Sequence, residues 1–249
     1  MYSYKLIISY DGTDYCGWQW QKNAVSINAV MRSTFARVFG QDDESFLLVG
    51  ASRTDAGVHA EGQVLRLRTP LQLPPERLTK VWNDVLPPSI VIIHAEVIAD
   101  RFHPQHNVAY KVYEYSFFTE RPSFKIQRFG WHLHKKVDLE RVQEALQLFV
   151  GTHDFGSFCK NTEDRPTVLT IDSIVLMPCN ETGGWKVQVR GKSFLRHMIR
   201  RIVGASLWYG MYKKTLLSAI TDALYHKKLT QTLPTAPAKG LCLKEIHYI

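Results

Sequence analysis

The pattern of hydrophobic and polar positions in the first hundred residues predicts alternating strands and helices. A helix is expected to begin after Ser26, where apolar positions take up helical spacing, and to stop at Gly40; a second helical stripe starts at Leu78 and is ended by Pro87. Four apolar runs have the length of strands: YKLIISY (4–10), FLLVG (46–50), QVLRLR (63–68) and IVIIHAEVI (90–98). The order strand, helix, strand, strand, helix, strand is typical of a ferredoxin-like βαββαβ unit.

The second half of the chain repeats this order without repeating the sequence. Helices are expected from Asp138, from Phe194 and, as an extra element, over residues 215–226. Strands are expected in AYKVYEYSFF (109–118), IDSIVLMP (171–178), WKVQVR (185–190) and LCLKEIHYI (241–249). We therefore predict an α+β fold of two ferredoxin-like halves, residues 1–103 and 104–249. Their antiparallel sheets are expected to join edge to edge and leave a central cleft for a polyanion.

Composition and charge narrow the function. The 249 residues carry 31 Lys and Arg against 23 Asp and Glu, a net charge of +8, which favours a polyanionic partner such as RNA, DNA or acidic lipid. The four cysteines form no CxxC pair and the ten histidines no HExxH, so no metal site is predicted. A phosphate loop, a GxGxxG fingerprint and a GxSxG elbow are also missing from the sequence. With no signal peptide and no long apolar run, a soluble cytoplasmic protein is expected.

The stretch GASRTDAGVHA (residues 50–60) surrounds Asp55 with very small residues. The strand pattern puts Asp55 in a loop between two strands, where function concentrates. Ser52, Thr54, Ala56 and Gly57 leave room for a planar substrate to approach one carboxylate. A turn in which Asp and Thr cap their own backbone explains the same residues, and the loop alone does not decide between the two interpretations.

Six blocks of sequence, in order, resemble the TruA family of tRNA pseudouridine synthases. They span nearly the whole chain: YDGTDYCGWQWQ (10–21), GASRTDAGVHA (50–60), KVYEY (111–115), GTHDFGSF (151–158), SFLRHMIRRIVG (193–204) and APAKGLCL (236–243). The resemblance implies an isomerase that breaks the bond between uracil N1 and ribose C1′, turns the base and rejoins it through C5, with no cofactor. Asp55 would be the nucleophile or the base that starts cleavage, and attack at C6 and at C1′ both stay open.

The resemblance also assigns roles to other residues. Tyr113 aligns with the tyrosine that stacks on the target base and exchanges the C5 proton, and Arg200 with the arginine that pairs with the aspartate. Arg53 aligns with the residue that enters the RNA stack, and Thr54 and Arg196 are predicted to contact the substrate. Periodicity alone would put Tyr113 in the core and Arg200 on a solvated helix face, so these roles come from the resemblance.

The implied substrate is the anticodon stem-loop of tRNA, at positions 38, 39 and 40, with the target base flipped out of its stack. Members of the family form homodimers whose subunits share one tRNA, so a homodimer is expected. One departure from the family pattern occurs in RFHPQHNVAYK (101–111), where Pro104 and Gln105 replace the usual Ala and Arg. This puts the set of modified uridines in doubt more than the reaction.

Two other functions remain open on the sequence. A catalytically weak tRNA-binding or folding protein could keep the same fold and basic surface. An acid-base hydrolase would need a second carboxylate near Asp55, and Asp154 is the candidate, although a helix-end cap is its simpler role.

Overall fold

The computed structural model describes residues 1–160, 166–180, 182–225 and 233–249, and the chain divides into two compact units. Unit 1 comprises Met1–Ala109 together with Leu243–Ile249, and unit 2 comprises Tyr110–Cys242. Both units combine strands and helices, which confirms the α+β class. The division differs from the predicted boundary after residue 103 because residues 104–109 and the end of the last strand lie in unit 1.

Unit 1 has the βαββαβ order that the hydrophobic pattern predicts. Its elements, numbered along the chain, are β1 (Tyr2–Tyr10), α1 (Ile27–Phe39), β2 (Leu47–Gly50), β3 (His59–Thr69), α2 (Pro75–Asn83) and β4 (Ile90–Val97). β1 lies between β3 and β4 and pairs antiparallel with both, and β2 pairs antiparallel with β3. The last seven residues of the chain return to this unit and continue a strand beside β3.

Caps at both ends bound the first helix of unit 1, and aromatic contacts pack it against the second. The Ser26 hydroxyl accepts a hydrogen bond from the backbone N–H of Ala29, and Gly40 ends α1 in the left-handed conformation, so both predicted caps are confirmed. The ring of Phe35 lies 4.8 Å from that of Trp82, which fastens α1 to α2. The Trp82 indole also donates to the Thr34 hydroxyl, so its one polar atom is satisfied inside the core.

Unit 2 also combines strands with helices. Its elements are β5 (Val108–Phe118, of which the first two residues lie in unit 1), β6 (Trp131–His132), α3 (Leu139–Gln147), β7 (Gly151–Asp154), β8 (Val168–Cys179), β9 (Gly184–Gly191), α4 (Met198–Met211), α5 (Ser218–Tyr225) and the start of β10 (Leu241–Tyr248). The strand order β5, β9, β8, β7 is antiparallel throughout, and β6 adds to β5 in parallel. The pattern did not predict β6 and β7, since runs of two and four residues are too short to show a period.

Helix α4 forms the core of unit 2. It buries ten of its fourteen residues, among them Ile202, Val203 and Leu207. The helix begins at Met198 and not at Phe194, because His197 takes the left-handed conformation (φ 65°) immediately before it. The prediction for its start was therefore wrong by one turn. The helix predicted from Asp138 is α3, and the Asp138 side chain caps it by accepting from the backbone N–H groups of Glu140 and Arg141.

Candidate active site

Asp55 lies in the loop that joins β2 to β3, residues 51–58, as the strand pattern predicts. Its side chain is half-buried, Arg53 and Ala56 are exposed, and Thr54 keeps only 8% of its surface. The backbone N–H of Val58 donates to the carbonyl of Asp55, which closes a tight turn around the aspartate. The loop therefore presents Arg53 to solvent while Thr54 points inward.

A second segment, residues 10–18, holds this loop from one side. The backbone N–H of Trp18 donates to the carbonyl of Thr54, and the backbone N–H of Gly57 donates to the carbonyl of Tyr15, each at 3.1 Å. The hydroxyls of Tyr10 and Thr54 are hydrogen-bonded at 2.8 Å with both side chains buried. The predicted substrate residue Thr54 thus has a buried partner that holds its hydroxyl in place.

Glycines in residues 10–18 allow that close contact. Gly17 has φ +88°, and a Cβ added there would meet the Thr54 carbonyl oxygen and stand 2.9 Å from the Asp55 carbonyl carbon. A Cβ on Gly12 would run into the Val58 carbonyl oxygen. In the sequence, Asp55 is surrounded only by its own small neighbours. In the structure, residues 10–18 also pack closely against its loop. The two glycines of YDGTDYCGW, which stand among large residues, are the sequence feature that could have indicated this close backbone contact.

The base of the loop is fixed by two glutamines, of which the sequence analysis did not single out Gln63. The Gln63 side chain accepts from the Ser52 N–H at 3.1 Å and donates to the Ser52 carbonyl at 2.6 Å, and Gln63 is fully buried. The Gln105 amide donates to the carbonyl of Gly50, the last residue of β2. Gln105 is one of the two departures from the family pattern, so the substituted residue holds the strand that leads into the Asp55 loop.

The far end of the loop carries a buried histidine. His59 Nδ1 lies 3.1 Å from Asp11 Oδ1 and accepts the Gly12 N–H at the same distance. His59 opens β3 and Asp11 follows β1, so this contact links the two central strands of unit 1 directly beside the loop. It gives His59 a positioning role that its sequence context did not indicate.

In unit 2, the two tyrosines of KVYEY have different surroundings. Tyr113 is 7% exposed, pairs with Val189 across β5 and β9, and meets the ring of Phe194 edge to face at 5.4 Å. Tyr115 is fully buried and donates to the Pro237 carbonyl at 2.9 Å. Burial raises the pKa of Tyr115 far above its usual range, and the charge of Arg200 opposes the rise. Tyr115 is therefore a protonated core residue.

Arg200 occupies the first turn of α4 and is half-buried. Its Nε donates to the Ala236 carbonyl, and the Ala236 N–H donates back to the Arg200 carbonyl, both at 2.9 Å. The glycine at position 204 permits this approach, because a Cβ there would meet the backbone of Pro234. Arg200 thus lies against the 233–240 segment and is not on the freely solvated face that periodicity alone indicates.

Arg196 lies before α4, which begins at Met198. It precedes the helix, is exposed, and its carbonyl accepts from the Lys160 N–H at 3.1 Å. The left-handed His197 separates Arg196 from the helix, so the predicted start at Phe194, which would have placed Arg196 on α4 together with Arg200, was wrong. Asp154 ends β7, and its carboxylate accepts from the Gly156 N–H at 3.0 Å at the start of a short 3₁₀ helix.

The predicted site residues are divided between the two units. Arg53, Thr54 and Asp55 lie in unit 1, and Tyr113, Arg196 and Arg200 in unit 2. Within the described ranges, no three His, Cys, Asp or Glu side chains come close enough to hold a metal ion. No helix in the described part of the chain has the length and apolar character to cross a membrane.

A family model described as tRNA pseudouridine synthase matches residues 6–107 and 145–249. The chain belongs to the tRNA pseudouridine synthase family. The matched ranges contain Asp55 and Arg200, whereas Tyr113 lies in the stretch between them. The resemblance to the TruA family is confirmed over the full length of the chain.

Curated members of the tRNA pseudouridine synthase family match at about one-third identity. The chain is 36% identical over 258 residues to tRNA pseudouridine synthase A of Thermodesulfovibrio yellowstonii, covering 100% of both chains. It is 33% identical over 245 residues to tRNA pseudouridine synthase A of Thermoanaerobacter sp., covering 98% of both. Among solved structures, a Cbf5-Nop10-Gar1 complex gives 11% identity and a TM-score of 0.36, covering 82% of this chain and 45% of that chain.

Proposed function

We propose that this protein isomerises uridine to pseudouridine in tRNA, without a cofactor. Full-length identity of 36% to a protein named tRNA pseudouridine synthase A carries the proposal. The net charge of +8 supports it, because a basic protein attracts the phosphates of RNA. A tRNA-modifying enzyme of this kind acts in the cytoplasm.

Asp55 is the proposed catalytic carboxylate. Its loop is fastened on one side by residues 10–18 and at its base by Gln63, so the backbone that carries Asp55 is held while its neighbours at 53 and 56 stay exposed. A fixed carboxylate can attack an electrophile without first losing conformational freedom. It either adds to C6 of the uracil before the N1–C1′ bond breaks or attacks C1′ of the ribose and displaces N1. In both routes the bond to Asp55 breaks again before the product leaves, which restores the free carboxylate.

The remaining steps need proton transfer and a counter-charge. When C1′ rejoins the ring at C5, the proton on C5 must leave and N1 must gain one, so atoms and charge balance without an outside reagent. Tyr113 is the proposed partner of the C5 proton and a stacking surface for the flipped base. Arg200 is the proposed ion-pair partner that keeps Asp55 ionised.

The substrate region and assembly are proposed from the TruA resemblance. The targets are uridines 38, 39 and 40 in the anticodon stem-loop, and the exposed Arg53 is suited to enter the RNA stack when the target base leaves it. Thr54 and Arg196 assist binding, Thr54 by holding its loop through Tyr10 and Arg196 from its exposed position before α4. The protein is proposed to act as a homodimer whose subunits share one tRNA.

The test is site-mapped pseudouridine formation on unmodified tRNA transcripts by the wild type and Asp55→Asn. We expect product in the anticodon arm from the wild type and none from the variant. Asp84→Asn, the same change at an exposed position that ends α2, is the matched control and should keep full activity. Tight tRNA binding with no product from the wild type would instead identify a tRNA-binding protein without this chemistry.

A further inference from the structure

Unit 2 contains an open cleft with a volume of about 620 Å³, and its lining includes none of Asp55, Tyr113 and Arg200. The segment 119–136, between β5 and α3, builds most of it, and residues 237 and 239 complete it. Segment 119–136 lies entirely between the two ranges that the family model matches. The side chains that matter here are those of Arg121, Trp131, His132, His134 and Lys239.

Strand pairing fixes the wall of this cleft. Trp131 and His132 pair in parallel with the end of β5, and the N–H of Leu133 donates to the Phe118 carbonyl at 2.9 Å. Leu133 is 2% exposed, so its side chain points into the core. His132 and His134, on either side of Leu133 in the chain, both line the cleft. Their rings lie 4.7 Å apart.

The charge of the cleft is positive. Arg121 and Lys239 are exposed on its lining, and the lining residues include no carboxylate. The Lys239 ammonium donates to the Gln127 carbonyl at 3.2 Å, which holds it at the rim. Segment 119–136 as a whole has five Lys and Arg against one Glu. A concave surface of one sign attracts and concentrates the opposite charge, so an anionic ligand is expected.

Exposed aromatic rings accompany these cations. Trp131 and the two imidazoles line the cleft, and in the same segment Phe124 is 77% exposed and Phe129 41% exposed. Exposing large rings to water is unfavourable. Rings placed among cations are the arrangement that binds single-stranded RNA, because bases stack on the rings and the cations neutralise the phosphates.

The cleft also adjoins the backbone that contacts Arg200. Residues 236–239 run along α4 on one side, where the Ala236 carbonyl accepts from Arg200, and line the cleft on the other through Pro237 and Lys239. The Pro237 carbonyl is itself held by Tyr115. A ligand in the cleft would therefore contact the same short segment as the proposed catalytic arginine.

We propose that this cleft binds a nucleotide of the tRNA strand other than the one isomerised. Arg121 and Lys239 neutralise its phosphates, and Trp131 with the two histidines receives its base. The proposal rests on the proposed function for tRNA as the ligand. It adds a binding site whose effect is on affinity and not on the chemical step.

The first experiment measures tRNA affinity for the double variant Arg121→Ala/Lys239→Ala at several salt concentrations. We expect about a tenfold weaker Kd near 0.1 M salt and a slope of log K against log salt that is shallower by about 1.4–1.8, the loss of two phosphate contacts. The rate of pseudouridine formation at saturating tRNA should stay unchanged. The control, Arg77→Ala/Lys80→Ala, removes the same charges from the exposed face of α2. Equal loss in both variants would overturn the proposal, because the effect would then be that of net charge alone.

The second experiment shows contact directly in the unmutated protein. Ultraviolet crosslinking of tRNA, followed by mass mapping, should give an RNA adduct on the peptide that contains residues 131–134. An adduct absent from that peptide, together with an unaffected double variant, would refute the cleft as an RNA site. The proposed function is judged separately: a wild type that crosslinks here but forms no pseudouridine supports the cleft and refutes the reaction.

Discussion

Replacing Gly17 with alanine tests whether the segment 10–18 holds the Asp55 loop in its working position. Gly17 has φ +88°, and an added Cβ would meet the Thr54 carbonyl oxygen and stand 2.9 Å from the Asp55 carbonyl carbon. The new methyl group faces backbone atoms, which cannot rotate away as a flexible side chain would. The Asp55 loop or the Gly17 turn must therefore move.

Two effects contribute to the cost of this change. An alanine forced to positive φ costs about 1–2 kcal/mol, and overpacking against fixed atoms costs a further ~1–3 kcal/mol. We expect the free energy of unfolding to fall by about 2–5 kcal/mol. If the strain is relieved by shifting the Asp55 carboxylate by about 1 Å, the rate at saturating tRNA should fall on the order of 10²-fold.

Gly40→Ala is the matched control for this experiment. Gly40 also has positive φ, 61°, but an added Cβ would have no atom within 4 Å. This variant should lose the backbone part of the stability, about 1–2 kcal/mol, and keep the wild-type rate. The assays are urea unfolding of each variant and single-turnover pseudouridine formation at saturating tRNA. A wild-type rate for Gly17→Ala, or an equal loss of rate for Gly40→Ala, would refute the reasoning.

Two further predictions concern a buried hydroxyl and a buried thiol. Tyr10→Phe removes the hydrogen bond to Thr54, so we expect about 1 kcal/mol less stability and a lower rate at saturating tRNA. The control is Tyr4→Phe, which should lower stability alone because the Tyr4 hydroxyl bonds to the backbone of Leu73, ahead of α2. The same fall in rate for both variants would contradict this prediction. Burial raises the pKa of the Cys159 thiol, whereas Cys16 is exposed. Iodoacetamide at neutral pH should therefore modify Cys16 at least about tenfold faster than Cys159, and mass mapping of the modified peptides would measure both rates. Similar rates for the two thiols would mean that the segment covering Cys159 opens readily.

Elements with long, regular patterns were predicted well from the sequence, and short or irregular ones were not. The cap at Ser26 and the stop at Gly40 were both identified, because they depend on local backbone chemistry. The start of α4 was placed one turn early, since residues 194–197 continue its apolar pattern and a left-handed His197 leaves no trace in hydrophobicity. Strand β6 was missed because its two residues form a strand only by pairing with β5.

The same division applies to the candidate site. The position of Asp55 in a loop between two strands could be predicted from the sequence on either side of it. The partners that fasten the loop could not be identified from that stretch. Tyr10, Gly17 and Gln63 reach it from other parts of the chain, and residues 50–60 do not indicate which residues these are.

By itself, the sequence determined the family, the α+β class and which carboxylate to test. These depend on residue identity, on order along the chain and on local periodicity, all of which are visible in one dimension. Tertiary structure alone decided what surrounds Asp55, how Arg200 is held against Ala236, and that segment 119–136 forms a basic cleft. These features depend on contacts between residues far apart in the chain, and such contacts exist only after the strands have paired and the helices have packed.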